Sequence, residues 1–245
     1  MAPHVDRGSG ILSFEGVPDP SALLAAARAA FEAGLARVEA RVPLSEETLA
    51  IRRAFYRAGF HREGIRRGED VGVFSLLVTD RGDDQFTFTS VMNSVTPRKR
   101  LIAHAVLTDA DGRVVLCQTS YKRDLELPGG IVEPGESPRV GCEREITEEM
   151  GIEVTLDRLL ALDWLPPHLG WEDATEVVFG APELTAEQVA AIQPDGQEIL
   201  ALHWLTPDEA AERLAPFAVG RLRSALAALA DGRTRYLEGG TELAF

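Results

Sequence analysis

Glu145, Glu148 and Glu149 crowd three carboxylates into five positions of one stretch, LPGGIVEPGESPRVGCEREITEEMGI, at Leu127–Ile152. In a helix their i, i+3 and i+4 spacing puts them on one face, within roughly 100° of arc. Like charges this close repel, and a hard divalent cation with oxygen ligands, Mg2+ or Mn2+, would compensate them. Ions of that class clamp phosphate oxygens and polarise water, so the chemistry in reach is metal-assisted hydrolysis of a phosphate compound. On charge alone, a solvated helix face with an i, i+4 pair between Arg144 and Glu148 accounts for the same residues.

The flanking residues frame that helix. Pro128, Gly129, Gly130, Pro134 and Gly135 make a turn-rich loop whose glycines let backbone approach a ligand closely. Ser137 is a good N-cap, Pro138 suits the first helical position, and Gly151 stops the helix after about Met150. Cys142, Ile146 and Met150 follow an i+4 series on an adjoining face that points to the core. The carboxylates therefore sit beside the core edge. Two cysteines, Cys117 and Cys142, make neither a disulfide framework nor a zinc pattern, and Cys142 reads as a small buried hydrophobe.

The spacing runs Gly130, five residues, Glu136, seven residues, Arg144-Glu145-Ile146, one residue, Glu148-Glu149, one residue, Gly151-Ile152. It meets every fixed position of the Nudix box. With the Leu127-Pro-Gly-Gly lead and the hairpin before it, the chain resembles MutT-like Nudix hydrolases over about residues 100–240. The resemblance implies an α/β/α sandwich with a mixed sheet, and Mg2+-dependent (or Mn2+-dependent) cleavage of a phosphoanhydride in a nucleoside diphosphate derivative. Carried over by position, Glu145, Glu148 and Glu149 resemble the metal-binding carboxylates, and the Gly130 carbonyl a backbone metal ligand. Arg144 resembles the residue that orients those carboxylates. Glu136 looks structural, as do Gly130 and Gly151. Water attacks phosphorus while a carboxylate takes its proton, with Glu145 or Glu148 as candidates and a loop glutamate serving in some members.

A further carboxylate is expected outside the box. Glu198, six residues before Trp204 and just ahead of ILALHWLT, resembles the loop glutamate that enters the metal site; an exposed strand-start residue is its plain reading. Glu176 is the second choice. Asp195-Gly196-Gln197 makes the Glu198 loop turn-prone, a mobile gate that orders over substrate. Lys122 and Arg123, just before the glycine loop, are candidates for phosphate contacts. Tyr121, Trp164 and Trp171 are candidates for stacking a base, although aromatics more often serve in cores and rims. Pro167, 15 residues past the box, matches a position associated with ADP-ribose-cleaving members. The pattern of coenzyme A pyrophosphatases is absent before LPGG.

Elsewhere, helices are expected at residues 21–34, capped by Ser21, and from Ser45 to about Arg57. Alternation predicts strands at Leu35–Val42, His61–Arg67 and Val71–Asp80. Residues 83–100 read as a linker, with a short strand at Phe86–Ser90. Leu101–Thr108 and Arg113–Thr119 form a hairpin around Asp109–Gly112. Strands at Leu159–Trp164, Thr175–Phe179 and Ile199–Leu205 precede helices near Pro207–Leu214 and Pro216–Ala230. Without regular βαβ alternation the fold class is α+β. The stretch LARVEARVPLSEETLAIRRAFYRAGFHREGIRRG resembles the second half of a GNAT acetyltransferase, over about residues 20–80. The loop that binds the coenzyme A pyrophosphate is missing before Leu35, and the family's Asn is replaced around Ser45. This implies a small, truncated α/β domain, catalytically silent, that packs against or dimerises through an open sheet edge. The expected domains are 1–82, GNAT-like, and 101–245, Nudix, joined by 83–100.

The 245 residues are 45% apolar with a net charge of −14, which suits one large or two small domains. Residues 1–100 carry a net +1 and residues 101–245 a net −15, which argues against general nucleic-acid binding. No apolar run reaches membrane-spanning length and the start is polar, so the expected location is cytoplasmic. The expected partners are a small nucleotide-type substrate and a second copy, in a homodimer through the N-terminal domain. The competing class is a binding or regulatory module in which the GNAT-like part is primary and the Nudix site is not catalytic.

Overall fold

The computed structural model describes residues 2–66, 68–80 and 84–244, with the backbone alone for 84–87. Arg67, where a strand was expected to end, and the boundary expected at 82–83 lie outside the described residues. The chain divides into two compact units, Met1–Pro97 and Arg98–Phe245.

In the first unit, β1 (His4–Val5) pairs antiparallel with β2 (Leu12–Ser13). Helix α1 (Pro20–Glu32) is capped by Asp19, whose carboxylate accepts the Ala22 N–H at 3.0 Å. Asp19 displaces Ser21 because Pro20 has φ already set for the first helical position and no N–H to satisfy. Then come β3 (Arg37–Pro43), a 3-10 turn at Glu46–Thr48, α2 (Leu49–Arg57), β4 (His61–Ile65) and β5 (Val71–Leu77). The antiparallel sheet has the order β3-β5-β4. The alternation of β3 buries Val38, Ala40 and Val42 fully, against Leu23, Phe55, Phe60 and Phe74.

Where a linker with a short strand was expected, the chain forms helix α3 (Asp84–Val95). It packs on β4: Val91 is buried, and Ser94 Oγ accepts the Arg62 N–H at 3.1 Å. Tertiary docking overrides the weak helix propensity of a Thr- and Ser-rich segment.

The second unit contains β6 (Arg100–Val106), β7 (Val114–Thr119), β8 (Gly129–Ile131), α4 (Pro138–Met150), β9 (Arg158–Leu165) and β10 (Ala174–Gly180). It continues with α5 (Ala186–Ala191), β11 (Ile199–Leu205), α6 (Pro207–Arg213), α7 (Pro216–Asp231), β12 (Arg235–Glu238) and β13 (Thr241–Glu242). A six-stranded mixed sheet has the order β13-β12-β9-β10-β6-β8, and β11 pairs with β7 in a second sheet. The Asp109–Gly112 turn forms, but its strands then part: β6 lies between β10 and β8, while β7 pairs with β11. The expected hairpin is thus a corner between two sheets.

Alternation along β6 supplies both cores. Ala103 and Ala105 pack with Cys142, Ile146 and Met150 of α4; Val106 packs with Leu222, Ala225 and Ala228 of α7. Helices therefore cover both sides of the sheets, giving an α/β/α sandwich. No described helix is long and apolar enough to cross a membrane.

Candidate active site

Helix α4 starts where its sequence says. Ser137 Oγ accepts the Val140 N–H at 3.4 Å, Pro138 occupies the first turn, and Gly151 closes the helix at φ 71°. Three core positions, all fully buried, fix the rotation of the helix. That rotation leaves Glu149 only 8% exposed, Glu145 half-buried and Glu148 exposed.

The glycine pair beneath the helix has steric reasons. Gly129 pairs with His104 of β6 at φ 126°, and a Cβ there would lie 2.2 Å from the Ala103 carbonyl oxygen. A Cβ on Gly130 would lie 2.9 Å from the Glu145 carboxyl carbon. Only glycines let this backbone run directly under the carboxylates. Glu149 uses the opening: its carboxylate accepts the Gly129 N–H at 2.8 Å.

Arg144 organises the exposed side of the cluster. Its guanidinium lies 3.0 Å from each of Glu136 Oε1, Glu145 Oε1 and Glu148 Oε2. Glu136 is held well below the usual carboxylate range, first by Arg144 and then by the Glu133 N–H. Glu145 is raised by burial, Arg144 opposing and Glu148 and Glu198 adding to the shift. Glu149 is pushed up to about 8, first by burial, with the Gly129 N–H opposing and Glu145, Glu126 and Glu198 adding. Among the described residues, no three His, Cys, Asp or Glu side chains converge closely enough to hold a metal ion as they stand. Arg144 draws Glu145 and Glu148 to itself, and Gly129 holds Glu149.

Glu198 stands at the turn just before β11. Its loop, expected from its composition to be turn-prone, forms a hydrogen-bonded turn. Gln193 and Asp195 donate their N–H groups to the Met150 and Glu149 carbonyls of α4 at 3.0 and 3.2 Å. The Asp195 carboxylate accepts the N–H groups of Glu198 and Ile199, at 3.1 and 2.7 Å. The Ser120 N–H bonds the Glu198 carbonyl at 2.9 Å. Asp195 is the residue whose effect on the loop the composition concealed: its side chain closes the turn on itself.

Glu176 belongs elsewhere. It is buried at 2% exposure, where Oε1 lies 2.8 Å from Arg221 Nη1 and 2.8 Å from His104 Nδ1. Arg221 also bonds Asp163 at 3.0 Å, and Asp163 accepts the Gly240 N–H at 3.1 Å. Burial works to raise Glu176, but His104 and Arg221 outweigh it and hold the carboxyl low. This network ties α7 to β6, β9 and β10 and engages the Glu176 carboxylate with Arg221 and His104.

Of the expected substrate contacts, Tyr121 is 61% exposed beside Glu198, with its hydroxyl 3.2 Å from Glu198 Oε1. Lys122 pairs with Glu126, and Arg123 is exposed. Trp164 and Trp171 lie at the far end of the sheet. Trp164 Nε1 donates to Asp173 at 3.2 Å, and the Arg100 guanidinium sits 4.5 Å from the Trp171 ring centre. Arg100 is four strand positions, about 13 Å, from the His104–Gly129 pair. The structure therefore does not bring the tryptophans to the carboxylates.

Glu126 was missed. Its carboxylate bonds the Tyr121 hydroxyl at 3.2 Å and the Lys122 ammonium, and it adds to the field on Glu149. The signal was present in the alternation Leu125-Glu126-Leu127: both leucines are buried, which turns the glutamate to the other face.

The family model for the NUDIX domain matches residues 98–226. A MutT-like protein of Streptomyces ambofaciens is 32% identical over 121 residues, covering 49% of this chain and 73% of that protein. A putative 8-oxo-dGTP diphosphatase of Bacillus subtilis (strain 168) is 35% identical over 105 residues, covering 43% and 65%. Among solved structures, the E. coli ORF135 protein is 27% identical, with a TM-score of 0.44, covering 55% of this chain and 93% of that one.

Proposed function

The chain belongs to the Nudix family of phosphoanhydride hydrolases, and from that premise we propose that it is a Mg2+- or Mn2+-dependent pyrophosphohydrolase of a nucleoside diphosphate derivative. One observation carries the reading. Glu145 and Glu149 lie over the Gly129–Gly130 backbone, with Glu198 close enough to act on both charges. The nucleotide class draws support from the relative named as an 8-oxo-dGTP diphosphatase.

The donor set fits a hard divalent ion. All side-chain donors are carboxylate oxygens, and among the described residues neither Glu149 nor Glu198 pairs with Lys or Arg. Glu145, Glu148, Glu149, the Gly130 carbonyl and Glu198 would hold the ion. When bound, such an ion supplies positive charge to phosphate oxygens and acidifies a ligated water. The chain's own residues do the rest. Glu145 or Glu148 accepts the proton as water attacks phosphorus and the bridging P–O bond breaks, its electrons leaving with the other phosphate, and Arg144 holds both carboxylates and Glu136 in register. Gly129 donates its N–H to Glu149, so that carboxylate keeps one orientation.

The unit Met1–Pro97 is, in this proposal, a truncated GNAT-like domain that binds no acetyl-CoA and mediates a homodimer in the cytoplasm. Its support is the strand–helix–strand likeness together with the missing glycine loop before Leu35, which leaves no row of N–H groups for a pyrophosphate. Low-micromolar acetyl-CoA binding by titration calorimetry would contradict it. So would an unchanged oligomeric state, by light scattering, after deletion of residues 1–90.

The catalytic reading is tested by a product-release screen over nucleotide sugars, dinucleotides and nucleoside triphosphates. Turnover should vanish in excess chelator and return with Mg2+ or Mn2+. Chelator-resistant turnover overturns it.

A further inference from the structure

The Tyr121 hydroxyl oxygen lies 3.2 Å from Glu126 Oε1 and 3.2 Å from Glu198 Oε1. A phenol has one proton to donate, so it cannot serve two carboxylates fully at once. Both distances exceed the usual 2.5–2.7 Å of a hydroxyl–carboxylate bond, as a shared proton requires. The two acceptors differ in their other partners. Glu126 already has the Lys122 ammonium on its second oxygen. For Glu198, among the described residues, the Tyr121 hydroxyl is the side-chain partner. The negative charge still to be satisfied is therefore on Glu198, and the proton is drawn there.

We infer that Tyr121 is a positioning residue: its hydroxyl holds the Glu198 carboxylate toward the box carboxylates, while Lys122 keeps Glu126 from competing for the proton. The backbone supports the same geometry. Ser120, next to Tyr121, donates its N–H to the Glu198 carbonyl at 2.9 Å, so main chain and side-chain tip are both held from the end of β7. Glu198 in turn acts on the charges of Glu145 and Glu149. The ring is 61% exposed, so the hydroxyl bonds and the Lys122 ammonium 5.4 Å from the ring centre, rather than burial, set its place. The Tyr121 hydroxyl, rather than stacking by its ring, is thus the part of the side chain that acts. It rests on the reading of Glu198 as an active-site carboxylate.

The test is a double-mutant cycle on the full chain, read by kcat, KM and Mn2+ affinity from electron paramagnetic resonance. Tyr121→Phe removes the hydroxyl and keeps the ring. It should lower kcat about tenfold, leave KM within about twofold, and weaken Mn2+ binding several-fold. Glu198→Gln should lower kcat at least as much. In a Glu198→Ala background, Tyr121→Phe should then cost nothing more, because the hydroxyl has lost that acceptor altogether. If the two losses multiply, Tyr121 acts through general loop packing and the inference is wrong. If Tyr121→Phe loses its effect only in a Glu126→Ala background, the hydroxyl serves Glu126, and the inference is again wrong. A normal Tyr121→Phe enzyme overturns it too. The metal reading is judged separately, by chelation and by Glu149→Gln, so either idea can fail alone.

Discussion

Replacing Glu149 by Gln should stabilise the metal-free protein while abolishing its turnover. The carboxylate is 8% exposed and is pushed up to about 8 from 4.5, chiefly by burial. A folded-state pKa above the unfolded value means that stability is fully present below about 4.5 and is lost as pH rises toward 8. Over that window the unfolded chain ionises Glu149 while the folded chain keeps it protonated. At about 1.4 kcal/mol per pH unit, the penalty at pH 7 is on the order of 3 kcal/mol. Glutamine carries no such term, and its carbonyl can still accept the Gly129 N–H. In urea with excess chelator, the variant should therefore unfold later than the parent by roughly 1 M at pH 7. That gap should close as the pH falls to about 4.5. Added Mg2+ should stabilise the parent more than the variant, since the variant lacks one of the carboxylates that would hold the ion. Turnover of the variant should drop at least about a hundredfold. A variant less stable than the parent at pH 8 without metal would refute the buried-charge account.

Three further outcomes are expected. Arg221→Met strands Asp163 and Glu176 beside each other, and should cost about 3–5 kcal/mol by urea unfolding near neutral pH; the loss should shrink in acid, as the carboxylates left without their partner take up protons, and a pH-independent loss would count against the network. Gly129→Ala would place a methyl 2.2 Å from the Ala103 carbonyl at φ 126°, and should destabilise the protein by more than about 3 kcal/mol, checked by thermal melting. Ser137→Ala removes the α4 cap and should cost about 1 kcal/mol with kcat within about twofold of the parent, so a large kcat change would assign Ser137 a role beyond capping.

Helix α4 could be read from sequence because its determinants are local: a cap, a proline, a glycine stop and an i+4 apolar series within fifteen residues. The carboxylate spacing was legible for the same reason. Helix α3 was not, since its residues favour no period and docking on β4 decides it. Strand β8 is three residues long and half glycine-loop in composition, so no alternation marks it. The His104–Glu176–Arg221–Asp163 network joins four elements, and only a buried charge inside the apolar run ATEVVFG hinted at it. Tyr121, which also bonds Glu126, meets Glu198 across more than seventy residues, a distance over which spacing rules say nothing.

The bonds from Gln193 and Asp195 to the Met150 and Glu149 carbonyls set an order of assembly. The last carbonyls of a helix need partners, and here those partners arrive more than forty residues later in the chain. A thirteen-residue helix is marginal in isolation, so these bonds add support to a final turn that Gly151 already closes. During synthesis, a chain halted before residue 193 would carry all three box glutamates but lack the bond from Asp195 to the Glu149 carbonyl. The end of the carboxylate-bearing helix and the turn that carries Glu198 are thus joined by main-chain bonds, although they lie far apart in the sequence.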